Sequence, residues 1–443
     1  MNTDFSALEL APALLQSLAE NGFTVPTPIQ AQAIPLVLQG RDVMGGAQTG
    51  TGKTAAFGLP VLHRLLESVD LTQRNRKPQV LILVPTRELA VQVHDNLMTY
   101  AKHTKLRMAV LFGGAGMIPQ EQALRRGVDV LVATPGRLID HMERGTAQLG
   151  EVRTVVLDEA DRMLDMGFLP SMKRVLGRIR KSRQTLLFSA TFETRIKQLA
   201  LEFMIDPVQV QVAAQNTIAE TIAHKAHPVN AAQKRDLLVE LLARRFKDQA
   251  IVFAKTKHGC NRLAEYLEEA GLPALAIHGN KSQAQRQKAL NEFKAGKVRL
   301  LVATDVAARG LDIPNLPLVI NYDLPTVAED YVHRIGRTGR NGSTGEALSL
   351  LAPEEGGLLR QIQEVLKAPV EMEIVPGFEP SRPVQLNAPI PKQPQRQGRA
   401  ARPKHATAGK QRKPQGHTAQ PRKGGGNTGS RNRRGSGSGF SKS

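Results

Sequence analysis

Short apolar runs separated by longer helix-forming segments constrain the fold more than any other feature of this sequence. Each run has four to six residues, mostly Val, Ile and Leu, which is typical of strands buried on both faces of a parallel sheet. The intervening segments have helical spacing, and Leu89, Val93 and Leu97 fall on one face of such a segment. Strand and helix therefore alternate, and the predicted class is α/β. The runs lie at 80–84, 108–112, 128–133, 154–158 and 185–188, and again at 250–253, 274–277, 298–303, 317–320 and 346–351.

These two sets of runs predict two α/β domains followed by a tail. The alternation is interrupted near residues 207–222, where only one extended piece remains. We therefore predict domain 1 at 1–210, a linker at 211–222 and domain 2 at 223–375. Residues 376–443 are mostly Gly, Pro, Gln, Arg and Lys, with too few apolar residues to form a core, so this tail is predicted to be disordered.

Most of the excess positive charge lies in the tail. The chain has 60 Lys and Arg against 40 Asp and Glu, a net charge of +20. Of these, 15 basic residues and no acidic residue lie between Ser381 and Ser443. This charge indicates a polyanionic partner, either nucleic acid or an anionic membrane surface.

Cysteine content and the length of the apolar runs exclude several classes of protein. Cys260 is the only cysteine, so an internal disulfide framework and Cys-rich zinc sites are excluded. No apolar run approaches the roughly 18 residues of a membrane span, and the N-terminus lacks the basic and apolar segments of an export signal. We therefore expect a cytoplasmic protein without a membrane partner.

The segment AQTGTGKT at 47–54 fits the phosphate-binding loop pattern, except that Ala47 replaces the first glycine. Gly50 and Gly52 would let backbone N–H groups close around phosphate oxygens. Lys53 would supply a cation to the β and γ phosphates, and Thr54 a hydroxyl to Mg²⁺. Alone, the segment could also be a turn between a strand and a helix. The remaining members of the predicted nucleotide-binding segment are Gln48, Thr49 and Thr51.

Two adjacent carboxylates, Asp158 and Glu159, follow the buried run TVVL. The end of a strand delivers side chains to the mouth of a parallel sheet, where ligands bind. Asp158 would hold Mg²⁺ and Glu159 would orient and deprotonate an attacking water. An acidic pair that opens a helix is the alternative. Together with the phosphate-binding loop, the pair predicts nucleotide hydrolysis.

A third element, HRIGRTGR at 333–340, lies in domain 2 and contains Arg334, Arg337 and Arg340. Arg337 and Arg340 can act as fingers that neutralise charge on a transferred γ-phosphate. A solvated basic face or a plain phosphate contact is the alternative. Because the first two elements lie in domain 1, the nucleotide would bind between the domains, and hydrolysis would require them to close.

With these elements in place, the chain resembles the DEAD-box RNA helicases, and among them most closely the bacterial RhlE-like branch. The family name is spelled out at 158–161, and the resemblance covers about residues 4–370. It implies two tandem RecA-like domains, with ATP and Mg²⁺ as cofactors. GFTVPTPIQ at 22–30 matches the adenine-reading motif, which implies that Gln30 hydrogen-bonds adenine and that Phe23 packs against its ring.

Further roles are implied by the same resemblance. Asp312 would contact the ribose of ATP. The segments DEAD at 158–161, SAT at 189–191 and HRIGR at 333–337 resemble motifs of the family. They imply that Asp161, Ser189, Thr191 and His333 couple ATP to domain closure. The residues implied in RNA binding are Pro85, Thr86, Arg87, Gly114, Thr134, Pro135, Gly136, Arg137, Thr304, Arg309 and Gly310.

The predicted function is an RNA-dependent ATPase that locally unwinds short duplexes and remodels RNA or RNA–protein complexes. Single-stranded RNA would be held by its backbone, across both domains. A DNA translocase with the same two domains and a non-catalytic annealing or scaffold protein acting through the tail are the alternatives. Ribosomal and messenger RNA–protein complexes are both compatible partners, and the sequence leaves the oligomeric state open.

Overall fold

The computed structural model of the chain contains two parallel sheets, one in each predicted domain. Both sheets lie within the same structural unit. The structure describes residues 4–46, 51–73, 75–192, 194–212, 222–244, 248–308, 311, 313, 316–339 and 344–387.

Seven strands form the sheet of domain 1: β1 Val43–Gly46, β2 Val80–Leu83, β3 Met108–Leu111, β4 Val130–Ala133, β5 Thr154–Leu157, β6 Gln184–Ser189 and β7 Val208–Gln211. Their order is β3-β4-β2-β5-β6-β1-β7, and neighbouring strands are parallel. The loops that leave the strands therefore lie along one edge of the sheet, the carboxyl edge. The loops that enter the strands lie along the opposite edge, the amino edge.

The helices of domain 1 connect these strands and cover both faces of the sheet. A 3₁₀ helix at Phe5–Leu8 comes first. The α-helices are α1 Pro12–Glu20, α2 Pro28–Leu38, α3 Lys53–Ser68, α4 Arg87–Tyr100, α5 Met117–Arg125, α6 Pro135–Glu143, α7 Ala160–Asp165, α8 Leu169–Leu176 and α9 Thr194–Phe203.

Domain 2 repeats this architecture. Its strands are β8 Ile222–Pro228, β9 Ala250–Phe253, β10 Ala274–Ile277, β11 Leu300–Ala303, β12 Leu318–Asn321, β13 Gly345–Leu351 and β14 Glu371–Met372. Their order is β10-β11-β9-β12-β13-β8-β14, again parallel. Two 3₁₀ helices occupy Ala231–Gln233 and Pro353–Glu355. The α-helices are α10 Lys234–Arg244, α11 Lys257–Glu269, α12 Gln283–Lys294, α13 Asp305–Ala308, α14 Ala328–Ile335 and α15 Gly356–Leu366.

The core explains why the strands read as unbroken apolar runs. In β2, Val80 and Ile82 pack into the cluster on one face of the sheet, and Leu81 and Leu83 pack into the cluster on the other face. Successive side chains point to opposite faces, so both must be apolar when helices cover both faces. The predicted α/β class with two tandem RecA-like domains is confirmed.

All ten predicted strands are present, and the described residues also include β1, β8 and β14, which the sequence patterns do not indicate. β1 reads VMGG, and its glycines lack the side chains of a typical strand. β8 reads IAHKAHP, in which polar residues interrupt the apolar pattern. β14 has two residues and lies at the sheet edge.

The packed part of domain 2 extends beyond the predicted start of the tail at 376. Phe378 packs against the core of domain 2, and Val384 and Leu386 pack against the cluster that contains α15. The backbone N–H and the hydroxyl of Ser381 both donate to Asn230 Oδ1, at 3.0 and 2.9 Å. These three apolar side chains explain the difference, and residues 388–443 lie outside the described part. No described helix is both long and apolar enough to cross a membrane.

Candidate functional site

The predicted phosphate-binding segment connects β1 to α3. Its first half, Ala47 to Gly50, lies outside the described residues, whereas Thr51 to Thr54 are described. Gly52 is the N-cap of α3 and has φ +90°, a conformation that only glycine adopts without strain. A Cβ at this position would also overlap the amide nitrogen of Gln30. Both the backbone conformation and the available space therefore require glycine here.

Gln30 and Thr27 hold the second half of the segment. Gln30 Nε2 donates to the Gly52 carbonyl at 3.1 Å, and Gln30 Oε1 accepts from the Thr27 backbone N–H at 2.9 Å. The Thr27 hydroxyl donates to the Thr51 carbonyl at 2.9 Å. The start of α2 and the loop before α3 are thus joined by two hydrogen bonds, and the bond between Thr27 and Gln30 fixes the start of α2 itself. Phe23, the other residue of the predicted adenine site, is half exposed and packs edge-on against Tyr100.

Lys53 is the first residue of α3 and is only 7% exposed. Its ammonium nitrogen is buried and has no hydrogen-bond partner among the described residues. An unpartnered buried ammonium is costly, and phosphate oxygens would satisfy it. The positive end of the α3 dipole adds to the attraction for an anion. The residues present therefore fit the phosphates of a nucleotide.

Asp158 and Glu159 follow β5 at the carboxyl edge, and both are buried. Burial raises the pKa of the Asp158 carboxyl to about 6, although the positive charge of Lys53 lowers it and Glu159 adds to the increase. Glu159 has φ 52°, in the left-handed region, and its Oε2 lies 2.7 Å from Arg162 Nη1. The strained backbone and the ion pair fix the direction of this carboxylate. Asp158 Oδ1 accepts from the Glu159 backbone N–H at 3.0 Å.

The Asp158 carboxylate and the Thr54 hydroxyl are the oxygen donors that the sequence predicts for Mg²⁺. Among the described residues, no three His, Cys, Asp or Glu side chains form a metal-binding cluster. Mg²⁺ usually binds through one or two carboxylates together with waters and substrate phosphates. The buried Asp158 carboxylate, close to a lysine whose environment fits phosphate oxygens, therefore fits Mg²⁺ bound with a nucleotide.

The third acidic residue of the DEAD segment contacts the end of β6. Asp161 Oδ2 accepts from the Ala190 backbone N–H at 3.0 Å, and the Thr191 N–H donates to Ser189 Oγ at 3.3 Å. A cavity of about 220 Å³ adjoins these residues. Asp161 and Thr191 from domain 1 line it together with His333 from α14 of domain 2. The four residues predicted to couple ATP to domain closure thus lie together at the domain boundary.

The arginines of HRIGRTGR have different environments. Arg334 is buried and donates to both oxygens of Asp305, at 2.6 and 2.8 Å, and its Nη1 donates to Asn321 Oδ1 at 2.9 Å. Its guanidinium also lies 4.9 Å from the ring centroid of Phe253. Arg334 is therefore an internal residue of domain 2. Arg337 Nη1 donates to the Leu311 carbonyl at 2.8 Å, and Arg340 lies outside the described residues.

The predicted RNA-binding residues of domain 1 all lie along the carboxyl edge. Pro85, Thr86 and Arg87 follow β2, Gly114 follows β3, and Thr134 to Arg137 follow β4. Gly114 has φ +82°, and a Cβ there would overlap the Arg87 guanidinium. Arg137 Nη1 donates to the Ala115 carbonyl at 3.1 Å. Loops distant in sequence thus form one continuous surface beside Asp158.

In domain 2, the described part of the predicted RNA site is smaller. Thr304 follows β11, and its carbonyl accepts the N–H groups of Ala307 and Ala308 at 3.0 and 2.9 Å. Arg309, Gly310 and Asp312 lie outside the described residues.

A buried ion pair links the two domains next to the loops predicted to bind RNA. Arg286 Nη2 of α12 lies 2.9 Å from Glu88 Oε1 of α4, and the two side chains are 10% and 7% exposed. Gln283 Nε2 donates to the same oxygen at 3.3 Å. Gln283 lies 195 positions from Glu88 in the sequence, so their contact has no local signal. Thr27, which the sequence analysis did not name, does have a local signal. Thr27 and Gln30 have the spacing of a helix capping box.

Comparison with known proteins agrees with this geometry. A family model described as "DEAD/DEAH box helicase" matches residues 27–199, and one described as "Helicase conserved C-terminal domain" matches residues 233–342. The DEAD-box ATP-dependent RNA helicase CshA of Geobacillus kaustophilus is 44% identical over 369 residues, which is 83% of this chain and 78% of that protein. The chain belongs to the DEAD-box helicase family. The predicted DEAD-box resemblance is confirmed.

Other members of the DEAD-box family give the same result. CshA of Bacillus cereus is 44% identical over 85% of this chain and 71% of its own length. Among solved structures, S. cerevisiae Dbp5 bound to RNA and ADP BeF3 matches with a TM-score of 0.74 and 34% identity. That match covers 84% of this chain and 95% of Dbp5. Mss116 bound to ssRNA and UDP-BeF matches with a TM-score of 0.77 and 28% identity, covering 86% of this chain and 81% of that one.

Proposed function

We propose that this DEAD-box protein is an RNA-dependent ATPase that unwinds short RNA duplexes locally and remodels RNA or RNA–protein complexes. One observation carries the proposal: the buried, unpartnered ammonium of Lys53 and the buried carboxyl of Asp158 lie at the same sheet edge as the loops that match RNA-binding motifs. The relatives named as ATP-dependent RNA helicases, and Dbp5 bound to both RNA and ADP BeF3, support it.

In the hydrolytic step, each of these side chains has a separate role. Lys53 neutralises charge on the β and γ phosphates, and Glu159 accepts the proton of the water that attacks the γ-phosphorus as the bond to ADP breaks. Arg162 holds the Glu159 carboxylate in position through the 2.7 Å ion pair. Mg²⁺, when bound, supplies further neutralisation of phosphate charge, and we assign Thr54 and Asp158 to hold it.

Domain 2 completes the site through Arg337 and Arg340. A finger of this kind contributes about 10³ to 10⁵ in rate, which is roughly 4 to 7 kcal/mol. The cavity that joins Asp161 and Thr191 to His333 supports coupling between hydrolysis and closure. Closure around ATP and RNA would bend the bound strand, so that binding separates the duplex and hydrolysis reopens the domains.

Glu159→Gln tests this mechanism, because glutamine keeps the shape of the side chain but cannot accept the proton. We expect it to bind ATP and RNA while hydrolysis falls by at least about 10², the usual contribution of a general base. Glu143→Gln is the matched control, since Glu143 is an exposed carboxylate at the end of α6. Near-normal hydrolysis by Glu159→Gln would contradict the assignment.

The same assay separates the alternatives. ATPase activity stimulated by single-stranded DNA as strongly as by RNA would favour a DNA translocase. Annealing without ATP hydrolysis would favour a scaffold protein.

We further propose a cytoplasmic location and ribosomal or messenger RNA–protein complexes as substrates, which crosslinking in cells and sequencing of the bound RNA would test. Membership of the RhlE-like branch is also a proposal, to be tested by a family tree, since the matched bacterial relatives carry the name CshA.

A further inference from the structure

The amino edge of domain 1, opposite the ATP and RNA motifs, is strongly basic. Five loops enter the adjacent strands β3, β4, β2, β5 and β6 at this edge. Their described residues contain twelve Lys and Arg but only three Asp and Glu. The first 380 residues have a net charge of only +5, so the rest of that segment is acidic on balance. We call these loops the amino-edge surface: residues 69–73 with 75–79, 101–107, 126–129, 144–153 and 177–183.

Local partners neutralise only part of this charge. Arg76 is buried against Asp129 at 3.0 Å, and Lys77 lies 3.7 Å from Glu151. Five helices, α3, α4, α5, α6 and α8, end at this edge, and the C-terminus of each contributes about half a negative charge, or about two and a half charges in all. The remaining excess is exposed. Five exposed cations have neither an ion pair nor a side-chain hydrogen bond among the described residues: Lys105, Arg126, Arg153, Arg178 and Lys181.

A cavity of about 400 Å³ opens in the middle of this surface. It lies between the loops that enter β2, β4 and β5, and its described lining includes four basic side chains and no acidic one. The four are Arg76, Lys77, Arg125 and Arg144. Five strands at a spacing of about 4.8 Å place the outer loops roughly 19 Å apart, which is wide enough for several phosphates of a nucleic acid backbone.

The composition of the surface favours a polynucleotide over a protein partner. A protein interface usually has an apolar or aromatic centre. In the part of domain 1 that the structure describes, the exposed large apolar residues all lie outside these loops; they are Phe23, Val25, Met98, Ile118, Leu201 and Ile205. Phosphate-backbone binding needs no apolar centre and uses dispersed Arg and Lys side chains.

We propose that the amino-edge surface binds the phosphate backbone of a second stretch of RNA, separate from the strand bound at the carboxyl edge. This inference rests on the proposed RNA-dependent function. Strands of four residues are about 13 Å long, so the two edges are separated by the thickness of the sheet and its loops. Only an RNA longer than the carboxyl-edge site, or one with a flanking duplex, reaches both. The surface therefore increases affinity for long or structured RNA and leaves the hydrolytic step unchanged.

The test is a triple variant of the full-length chain, Lys105→Gln, Arg126→Gln and Lys181→Gln, which removes three unpaired cations from loops entering β3, β4 and β6. Binding of a short single-stranded RNA and of a long one is measured as a function of salt, together with RNA-stimulated ATPase activity. The control triple, Arg244→Gln, Lys288→Gln and Arg360→Gln, removes three exposed cations from helices of domain 2.

We expect the triple variant to bind the long RNA more weakly, with a salt slope flatter by about 2, since each phosphate contact on a single strand contributes about 0.7. The KM for long RNA should rise, and kcat and the binding of the short RNA should not change. Long-RNA affinity and salt slope equal to those of the wild type, or an equal loss in the control triple, would overturn the inference. Failure of the wild-type protein to hydrolyse ATP with the short RNA would instead reject the proposed function.

Discussion

The ion pair between Arg286 and Glu88 should set how readily the two domains close. Both side chains are about nine-tenths buried, and their nitrogen and oxygen atoms lie 2.9 Å apart. Arg286→Gln removes the positive charge while keeping a polar side chain of similar direction. Glu88 then retains only the hydrogen bond from Gln283, at 3.3 Å, in the closed arrangement.

The magnitude follows from what happens to the remaining charge. Breaking a buried pair inside one domain costs about 3 to 5 kcal/mol, because the remaining charge stays buried. Here the partners belong to different domains, so opening lets water reach Glu88 and limits the loss. We therefore expect Arg286→Gln to destabilise the closed arrangement by about 1.5 to 3 kcal/mol, the value of a hydrogen bond to a charged group. This corresponds to roughly 10- to 150-fold in kcat/KM for RNA-stimulated hydrolysis.

A double-mutant cycle with Glu88→Gln measures this coupling directly in the RNA-stimulated ATPase assay. The Lys234–Glu355 pair, at 2.6 Å within domain 2, is the matched control. Lys234→Gln should lower the melting temperature and leave RNA-stimulated hydrolysis nearly unchanged. Arg286→Gln should lower RNA-stimulated hydrolysis and leave the melting temperature nearly unchanged. Strict additivity of the Arg286 and Glu88 substitutions would refute the reasoning, since it would mean that the pair does not contribute to closure.

Three further predictions concern the nucleotide site and the tail. Gly52→Ala should abolish detectable ATP binding in a fluorescent-nucleotide titration, because φ +90° and overlap with Gln30 both oppose a Cβ; retention of wild-type affinity would mean that the loop is not held as described. Because burial holds the pKa of Asp158 near 6, its carboxylate gains a proton as pH falls. Affinity for Mg²⁺ with ATP should therefore decrease below pH 6, by up to about tenfold per pH unit from Asp158 alone, while Asp158→Asn should keep only the weaker pH dependence that protonation of the ATP phosphates causes. Deleting residues 388–443 should weaken RNA binding and flatten its salt dependence without changing kcat at saturating RNA; equal slopes would indicate a tail that does not touch RNA.

Much of the site could be predicted because its chemistry is encoded locally. Lys53 and Thr54 belong to one short segment, and Asp158 and Glu159 directly follow a recognisable buried strand. Parallel strands deliver such residues to a common edge, so their proximity follows from the α/β pattern alone. Strand β1 has no comparable pattern, because two of its four residues are glycines without side chains.

The roles of the arginines show where local reasoning stops. HRIGRTGR contains three arginines at the same three-residue spacing, of which Arg337 and Arg340 are the predicted fingers. Arg334 is internal only because Asp305 and Asn321, 29 and 13 residues away, meet its guanidinium. No pattern within the motif contains that information.

The sequence by itself determined the α/β class, the two domains, the family and the residues of the phosphate and carboxylate motifs, because each depends on periodicity or on neighbours in the chain. Tertiary structure alone decided the pairing of Glu88 with residues such as Gln283, 195 positions away, and the close approach of Gln30 to Gly52. It also decided that the amino-edge surface exists, since its cations come from five separate loops. The physical reason is that packing sets distances between residues far apart in the chain, whereas a sequence motif specifies only what its own neighbours can do.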